Sequence, residues 1–368
     1  MAASAPAGAC ERIEELLKSG VGWDEILRLA ERHGASPLMY RNLERFEREI
    51  PAGAFAVLRE RNEINIRKAL FLTRELFRVL DCLNALGIEA IPYKGIVLSE
   101  NYYGDMALRQ CGDLDLFVRA RDMARVKSAM RELGFTARVE IPAEAENDYI
   151  AAGYECSFDS PAGKNLLELQ WALEPRYYAV DIDMEGLFAR AVEVNFAGRQ
   201  MLTLSVEDSL LVLAIHAAKH VWGRLIWLCD IERILQRELD WVGVRNCASG
   251  LGVQRILHVT LALAERFFGA RVPGAVESDL RNDRVAWKFA EEIAESIAAG
   301  VDYETRKVSY FRLMMGLRER RMDRLRFLTR LTFTPGPGEW DAVKLPRILF
   351  PFYRVVRMAR LAGRLVRV

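Results

Sequence analysis

Two aspartates, Asp113 and Asp115, stand in the run "LRQCGDLDLFV", residues 108–118, which otherwise has the apolar alternation of a strand. Successive side chains of a strand point to opposite faces, so Leu114, Leu116 and Val118 share one face and the two aspartates share the other. Like charges held together on a sheet repel unless something positive stands between them. A divalent metal ion would satisfy them. Downstream, "LLELQW" puts Leu167, Leu169 and Trp171 on one face and Leu166, Glu168 and Gln170 on the other. Laid beside the aspartate strand, this segment would bring Glu168 to Asp113 and Asp115. Three hard oxygen ligands suit Mg²⁺ or Mn²⁺. Two such ions about 3.5–4 Å apart would clamp the attacking and leaving oxygens of an in-line phosphoryl displacement.

Upstream, "IPYKGIVLSENYYG" supplies a strand, then Lys94 and Gly95, then a helical stretch. A glycine at that junction lets a phosphate approach the backbone, and a helix N-terminus offers free N–H groups and a positive dipole end. Lys94 would neutralise phosphate charge. Arg109, four residues before Asp113, would do the same with a forked guanidinium.

The elements that must position these residues form an α+β core of about 120 residues set between helical regions. Residues 1–86 read as an N-terminal helical region, with Gly20 and Gly34 as helix ends and a long amphipathic helix after Pro51 closed by Gly87. Residues 87–205 carry the strands "IEAIPY", "DLDLFV" and "FTARVEI", the helix "ARDMARVKSAMRELG", and a hairpin turning at "SPAGKN". Residues 206–334 are helical again; Ser205 and Asp208 resemble a capping box with Asp in place of Glu. Residues 335–368 join a Pro/Gly connection to a basic amphipathic C-terminal helix. From Asp341 to Val368, Lys344, Arg347, Arg354, Arg357, Arg360, Arg364 and Arg367 face a single acid, Asp341.

The near balance of 52 basic and 51 acidic residues gives no global attraction to nucleic acid or membrane. Six scattered cysteines with no C-x-x-C pair argue against a disulfide framework and a cysteine-rich zinc site, and suit a reducing cytoplasm. The first residues lack the basic start and apolar run of a signal peptide, and no apolar stretch reaches the ~18 residues of a membrane span. The expected location is therefore cytoplasmic.

The run Lys94-Gly95, Leu98, Tyr102-Tyr103, Arg109 and Gly112-Asp113-Leu114-Asp115-Leu116-x-Val118 resembles the uncharacterised nucleotidyltransferase family NTP_transf_5, of the DNA polymerase beta-type nucleotidyltransferase superfamily. "LLELQW" resembles the family's E-x-H-W segment, "SVEDSLLVLAIHAAKH" and "IWLCDI" its following helices, and "LTFTPGPGEWDAVKLPRILFPFYRVVRMARL" its tail. The resemblance spans roughly residues 38 to 365. It implies a nucleotidyltransferase core, a small mixed sheet with flanking helices, that moves a nucleoside monophosphate from a nucleoside triphosphate to a hydroxyl acceptor. It implies Asp113, Asp115 and Glu168 as catalytic and metal-binding residues, and Lys94, Gly95, Arg109 and Gly112 as the nucleotide-binding set. There are departures: Ile96 follows Lys94-Gly95 where the superfamily has a serine, and Gln170 stands where the family has histidine.

Other residues have plainer readings. Tyr102 and Tyr103 are expected as core or pocket-wall aromatics. His216 and His220 have the i, i+4 spacing of zinc sites, but no glutamate lies between them and no third ligand is evident. A structural or substrate-lining role is favoured, with Asp230 buried beside one of them. The basic tail reads as a solvated or interdomain helix, and an acidic partner such as RNA or a membrane face is the lesser alternative. Two rivals to the enzyme reading stand: a non-catalytic nucleotide-binding or regulatory protein on the same fold, and a toxin-like enzyme modifying transfer RNA.

Overall fold

The computed structural model describes residues 9–139, 146–160, 163–272, 274–301, 308–334, 339, 342, 343, 345, 349 and 352–366. Several expectations fall on positions outside the described residues. These are the first eight residues, 140 and 141 at the end of the third expected strand, the turn positions 161 and 162, the connection 335–338, and Lys344, Arg347 and Arg367 of the tail.

Three short helices lead the chain: α1 (Ala9–Lys18), α2 (Trp23–Arg32) and α3 (Ser36–Leu43). Leu27, Leu43, Phe46, Phe55 and Leu58 gather into a small apolar cluster that joins them to α4 (Ala52–Ala85). At 34 residues α4 is about 50 Å long. Its one fully buried stripe, Leu72, Leu76, Val79 and Leu83, recurs at three- and four-residue steps and lies on the sheet. Gly87, at φ +66°, turns the chain out of this helix in a conformation that side chains with a Cβ avoid.

The core sheet then forms around β1 (Ala90–Pro92), α5 (Gly95–Tyr103), β2 (Leu114–Val118), α6 (Met123–Glu132), β3 (Thr136–Ala137), α7 (Glu146–Ala152), β4 (Glu155–Ser160) and β5 (Gly163–Gln170). Its order is β1-β2-β5-β4-β3. β2 and β5 run parallel, and the other neighbours are antiparallel. The architecture is α+β: one small mixed sheet among many helices. After α8 (Met184–Ala189), a separate hairpin of β6 (Val192–Phe196) and β7 (Arg199–Thr203) follows, which the sequence reading did not anticipate. Thr203 Oγ1 donates to the Pro92 carbonyl at 2.8 Å and ties β7 to β1.

Alternation decides what each sheet face meets. Leu114, Leu116, Val118, Leu167 and Leu169 pack with α4 and α6 in one apolar cluster. Ile91, Tyr93 and Phe117 belong instead to a larger cluster shared with the C-terminal helices. Those helices are α9 (Val206–Lys219), α10 (Leu225–Leu235), α11 (Trp241–Leu251), α12 (Gln254–Phe268), α13 (Gly274–Asn282), α14 (Arg284–Ala298), α15 (Val308–Gly316), α16 (Arg321–Phe333) and α17 (Tyr353–Val366). Ser205 caps α9 as its sequence suggests, its Oγ accepting from the Asp208 N–H at 3.1 Å.

Candidate active site

β2 and β5 are paired so that Asp115 lies opposite Glu168 and Phe117 opposite Gln170. Across β4 the same rows continue with Ser157 beside Glu168 and Glu155 beside Gln170. The carboxylates therefore stand on one sheet face because the apolar residues between them are claimed by the other. Asp113 sits in the bend just before β2. Asp115 is 7% exposed, and Asp113 and Glu168 are half-buried.

Burial first, and like charge second, raise the pKa values of Asp113 and Glu168. Burial pushes the Asp113 carboxyl up to about 6, with Asp115 adding repulsion, while Lys94, Arg109 and Lys68 pull the other way. Burial, followed by Asp115, Glu155 and Asp113, pushes Glu168 up to about 8 against the pull of Lys94.

Lys94 lies two residues after β1 and N-caps α5, with no side-chain capping bond to the helix. Its Nζ lies 3.2 Å from Asp115 Oδ1, with both side chains at most 8% exposed, and 4.8 Å from the centroid of the Tyr93 ring. Tyr93 stacks on Phe117 at 4.1 Å, forming an apolar floor beneath the pair. Gly95 adopts φ +59°, and a Cβ there would sit 3.3 Å from the Asp113 carbonyl oxygen. The glycine thus serves the approach of the α5 start to the aspartate bend.

Arg109, read from sequence as a phosphate ligand, is placed differently. Its side chain is 8% exposed, and its Nε donates to both oxygens of the fully buried Asp230, each at 3.0 Å. Tyr103 Oη donates to the same carboxylate at 2.8 Å. Asp230 is indeed buried, but its partners are these two residues and not a histidine. The arrangement fastens the loop before Asp113 to α10. The loop is braced again where Ser99 Oγ donates to the Asp105 carbonyl at 2.7 Å and accepts from the Arg109 N–H at 3.1 Å. Asn65 on α4 donates to the Ala107 carbonyl at 2.6 Å.

Gln170 accepts from Tyr93 Oη at 2.5 Å and donates through Nε2 to Glu155 at 3.4 Å. It therefore works as a hydrogen-bond bridge across the sheet. His216 and His220 stand with ring centroids 4.9 Å apart, both within 5.5 Å of the Trp227 ring. Burial drives the His216 pKa well down, with Lys94 and His220 adding repulsion. His220 keeps an exposed edge, yet packing around its ring and the nearby Lys219 bring it down to about 3. Both rings are neutral aromatic neighbours of the site.

Two groups escaped the sequence reading. Lys68 is exposed on α4, and its Nζ lies 3.7 Å from where a Cβ of Gly112 would stand. Glu155 is a fourth carboxylate on the same face as Glu168. Alternation in "YECSF" held the signal for Glu155; nothing local in the α4 sequence separates Lys68 from its other surface charges.

Among the described residues, no three His, Cys, Asp or Glu side chains are arranged to hold a metal ion. Asp113, Asp115 and Glu168 neighbour one another without closing on a single point, and Lys94 takes the place of counter-ion to Asp115. The donor chemistry does fit a hard divalent cation: the oxygens are carboxylate, partly buried and mutually repelling. The strand register sets Asp115 beside Glu168.

No curated protein matches the chain. Among solved structures it is similar to an antigenic nucleotidyltransferase-like protein from Paracoccidioides brasiliensis, at 14% identity and a TM-score of 0.33, covering 60% of this chain and 92% of that one. So loose a superposition adds nothing to the site. Residues 19–269, more than half of the chain, match the family described as uncharacterised nucleotidyltransferase. The protein belongs to that uncharacterised nucleotidyltransferase family.

Proposed function

We propose that this protein is an enzyme that transfers a nucleoside monophosphate from a nucleoside triphosphate to a hydroxyl acceptor, with Mg²⁺ or Mn²⁺ held by Asp113, Asp115 and Glu168. The observation that carries the reading is the pairing of Asp115 with Glu168 across β2 and β5, one step from Asp113 and beside the start of α5. The bound cation would supply charge neutralisation at the transferring phosphoryl group.

The remaining roles follow from the chain's own groups. The α5 N-terminus presents backbone N–H groups with no side-chain cap, a place for phosphate oxygens. Lys94, 3.2 Å from Asp115, would neutralise triphosphate charge from the same spot. Lys68 approaches from α4 on the Gly112 side. Glu168, with its raised pKa, is the group to accept the proton of the attacking hydroxyl. Arg109 acts through position: held by Asp230, it keeps the 105–113 loop against α10 and lends distant positive charge to Asp113.

One observation favours a second reading, a nucleotide-binding protein without catalysis: Lys94 sits on Asp115 and the carboxylates do not converge. Turnover separates the two. The protein is incubated with each nucleoside triphosphate labelled at the α-phosphate, with Mg²⁺ and a cell extract as acceptor source, and pyrophosphate release and labelled product are followed. The enzyme reading expects both signals for the wild type and neither for Asp113→Asn. A folded Asp113→Asn variant that keeps most of the turnover would refute the assignment.

A further inference from the structure

The C-terminal pair of helices has a surface that the nucleotidyl-transfer reading does not use. α16 carries four arginines against one aspartate, and α17 carries four arginines and no acid, in a chain whose formal net charge is only +1. Some of that charge is spent internally: Arg330 pairs with Asp181, and Arg357 and Arg360 pair with Glu339. Arg321 and Arg354 remain on the surface, as does Arg326, which lies 3.9 Å from Asp323. Large apolar side chains stand among them. Met322 is 67% exposed, Leu325 53% and Phe333 50% on α16; Val355 is 52% and Met358 38% on α17, with Phe352 at 56% just before it.

These exposures follow from how the two helices pack. They touch each other, with Arg357 Nε donating to the Leu331 carbonyl at 3.1 Å. Tyr353 and Arg357, one turn apart on α17, are buried at 2% and 8%, as is Phe327 of α16 at 1%. Each helix thus already has an inner face, and the apolar residues named above are left over on the outside. Scattered single exposed leucines need no explanation; six bulky apolar residues among surface arginines on two adjoining helices do.

We infer that α16 and α17 form a docking surface for an anionic phospholipid membrane. Apolar side chains would enter the headgroup boundary while arginines meet lipid phosphates, a pairing that neither alone provides. Among the described residues no helix is long and apolar enough to cross a membrane, so contact would be by a helix face. Nucleic acid offers phosphates but no apolar medium for methionine, leucine and valine. A second copy of the chain would bring the same arginines against themselves. Lipid satisfies both halves of the pattern.

The test is co-sedimentation of the full-length protein with vesicles of phosphatidylcholine, and of phosphatidylcholine mixed with phosphatidylglycerol. Wild type is expected to pellet with the anionic vesicles and to be released by raised salt. Leu325→Glu with Val355→Glu should weaken that binding about tenfold or more, with no loss of melting temperature because both sites are exposed. Arg321→Glu with Arg354→Glu should weaken it comparably. No binding to anionic vesicles overturns the inference, as does binding by the Leu325→Glu/Val355→Glu double variant equal to that of wild type. Binding of RNA in place of vesicles, or a wild-type dimer that the apolar-site variants convert to monomer without any vesicle binding, would overturn it in favour of those occupants.

Discussion

Asp115 and Glu168 are direct neighbours across the parallel β2–β5 pair, 53 positions apart in sequence and in register on one sheet face. Sheet pairing, not loop conformation, sets their separation. A strand slip of one residue would send Glu168 to the apolar cluster and bring a leucine in its place. If these residues with Asp113 carry the reaction, Asp113→Ala lowers the turnover rate about 10²- to 10³-fold. Its stability should not fall, since the substitution removes a source of repulsion. Rate and melting temperature measured on the same preparation check both halves.

The raised acidities give a pH dependence whose sign is fixed. From the ordinary glutamate value of 4.5 up to about 8, folded Glu168 retains a proton that the unfolded chain has released. The folded state binds more protons in that window, so metal-free stability falls as pH rises through it. Asp113 adds to the same slope over the lower part, between 3.8 and about 6. Glu168→Gln should therefore flatten the slope and raise metal-free stability at pH ~8 by about 1–2 kcal/mol, a figure reduced for the partial exposure of the group. Urea titrations across pH test this. An unaltered slope in the variant would contradict the charge crowding described here.

Mg²⁺ should reverse that trend. A cation competes with protons for the same carboxylates, so its stabilising effect grows with pH. The melting-temperature gain from Mg²⁺ is expected to be larger at pH ~8 than at pH ~5 in wild type, and small at both in Asp115→Asn.

The Arg109–Asp230 pair is predicted to be structural glue for the site. Arg109→Ala leaves Asp230 buried without its main partner and should destabilise the fold by about 3–5 kcal/mol. Adding Asp230→Asn should recover part of that loss, because the orphaned charge is gone. Denaturation of the two single variants and the double variant gives the coupling directly. Additive losses would show that the pair does not act as a unit.

Gly95→Ala tests the junction of β1 and α5. The positive φ and the 3.3 Å approach to the Asp113 carbonyl both resist a Cβ. The variant should lose about 1–2 kcal/mol and displace the aspartate bend. Nucleotide affinity should fall with it, whereas Gly163→Ala, which meets open space at its Cβ position, should leave affinity unchanged.

Much of this arrangement was legible in the residues themselves. The apolar alternation on either side of Asp115 and Glu168 required a common polar face, and the register delivers it. The stripe of Leu72, Leu76, Val79, Leu80 and Leu83 predicted α4, and Ser205 predicted the start of α9. What escaped is long-range. Arg109 meets Asp230 across 121 positions, and local spacing makes an arginine near two aspartates look like a phosphate ligand. Lys68 reaches Gly112 only because α4 lies along the sheet. The β6–β7 hairpin was missed because its strands are short and largely exposed, so their alternation of Val192, Val194 and Phe196 is weakly marked.

The most direct measurement is thermal stability with each nucleoside triphosphate, with and without Mg²⁺, for wild type and the Asp113→Asn/Asp115→Asn double variant. The account predicts a Mg²⁺-dependent rise in melting temperature with a nucleoside triphosphate for wild type, absent from the double variant. No rise with any triphosphate, or an equal rise in the double variant, would contradict metal and nucleotide binding at these aspartates.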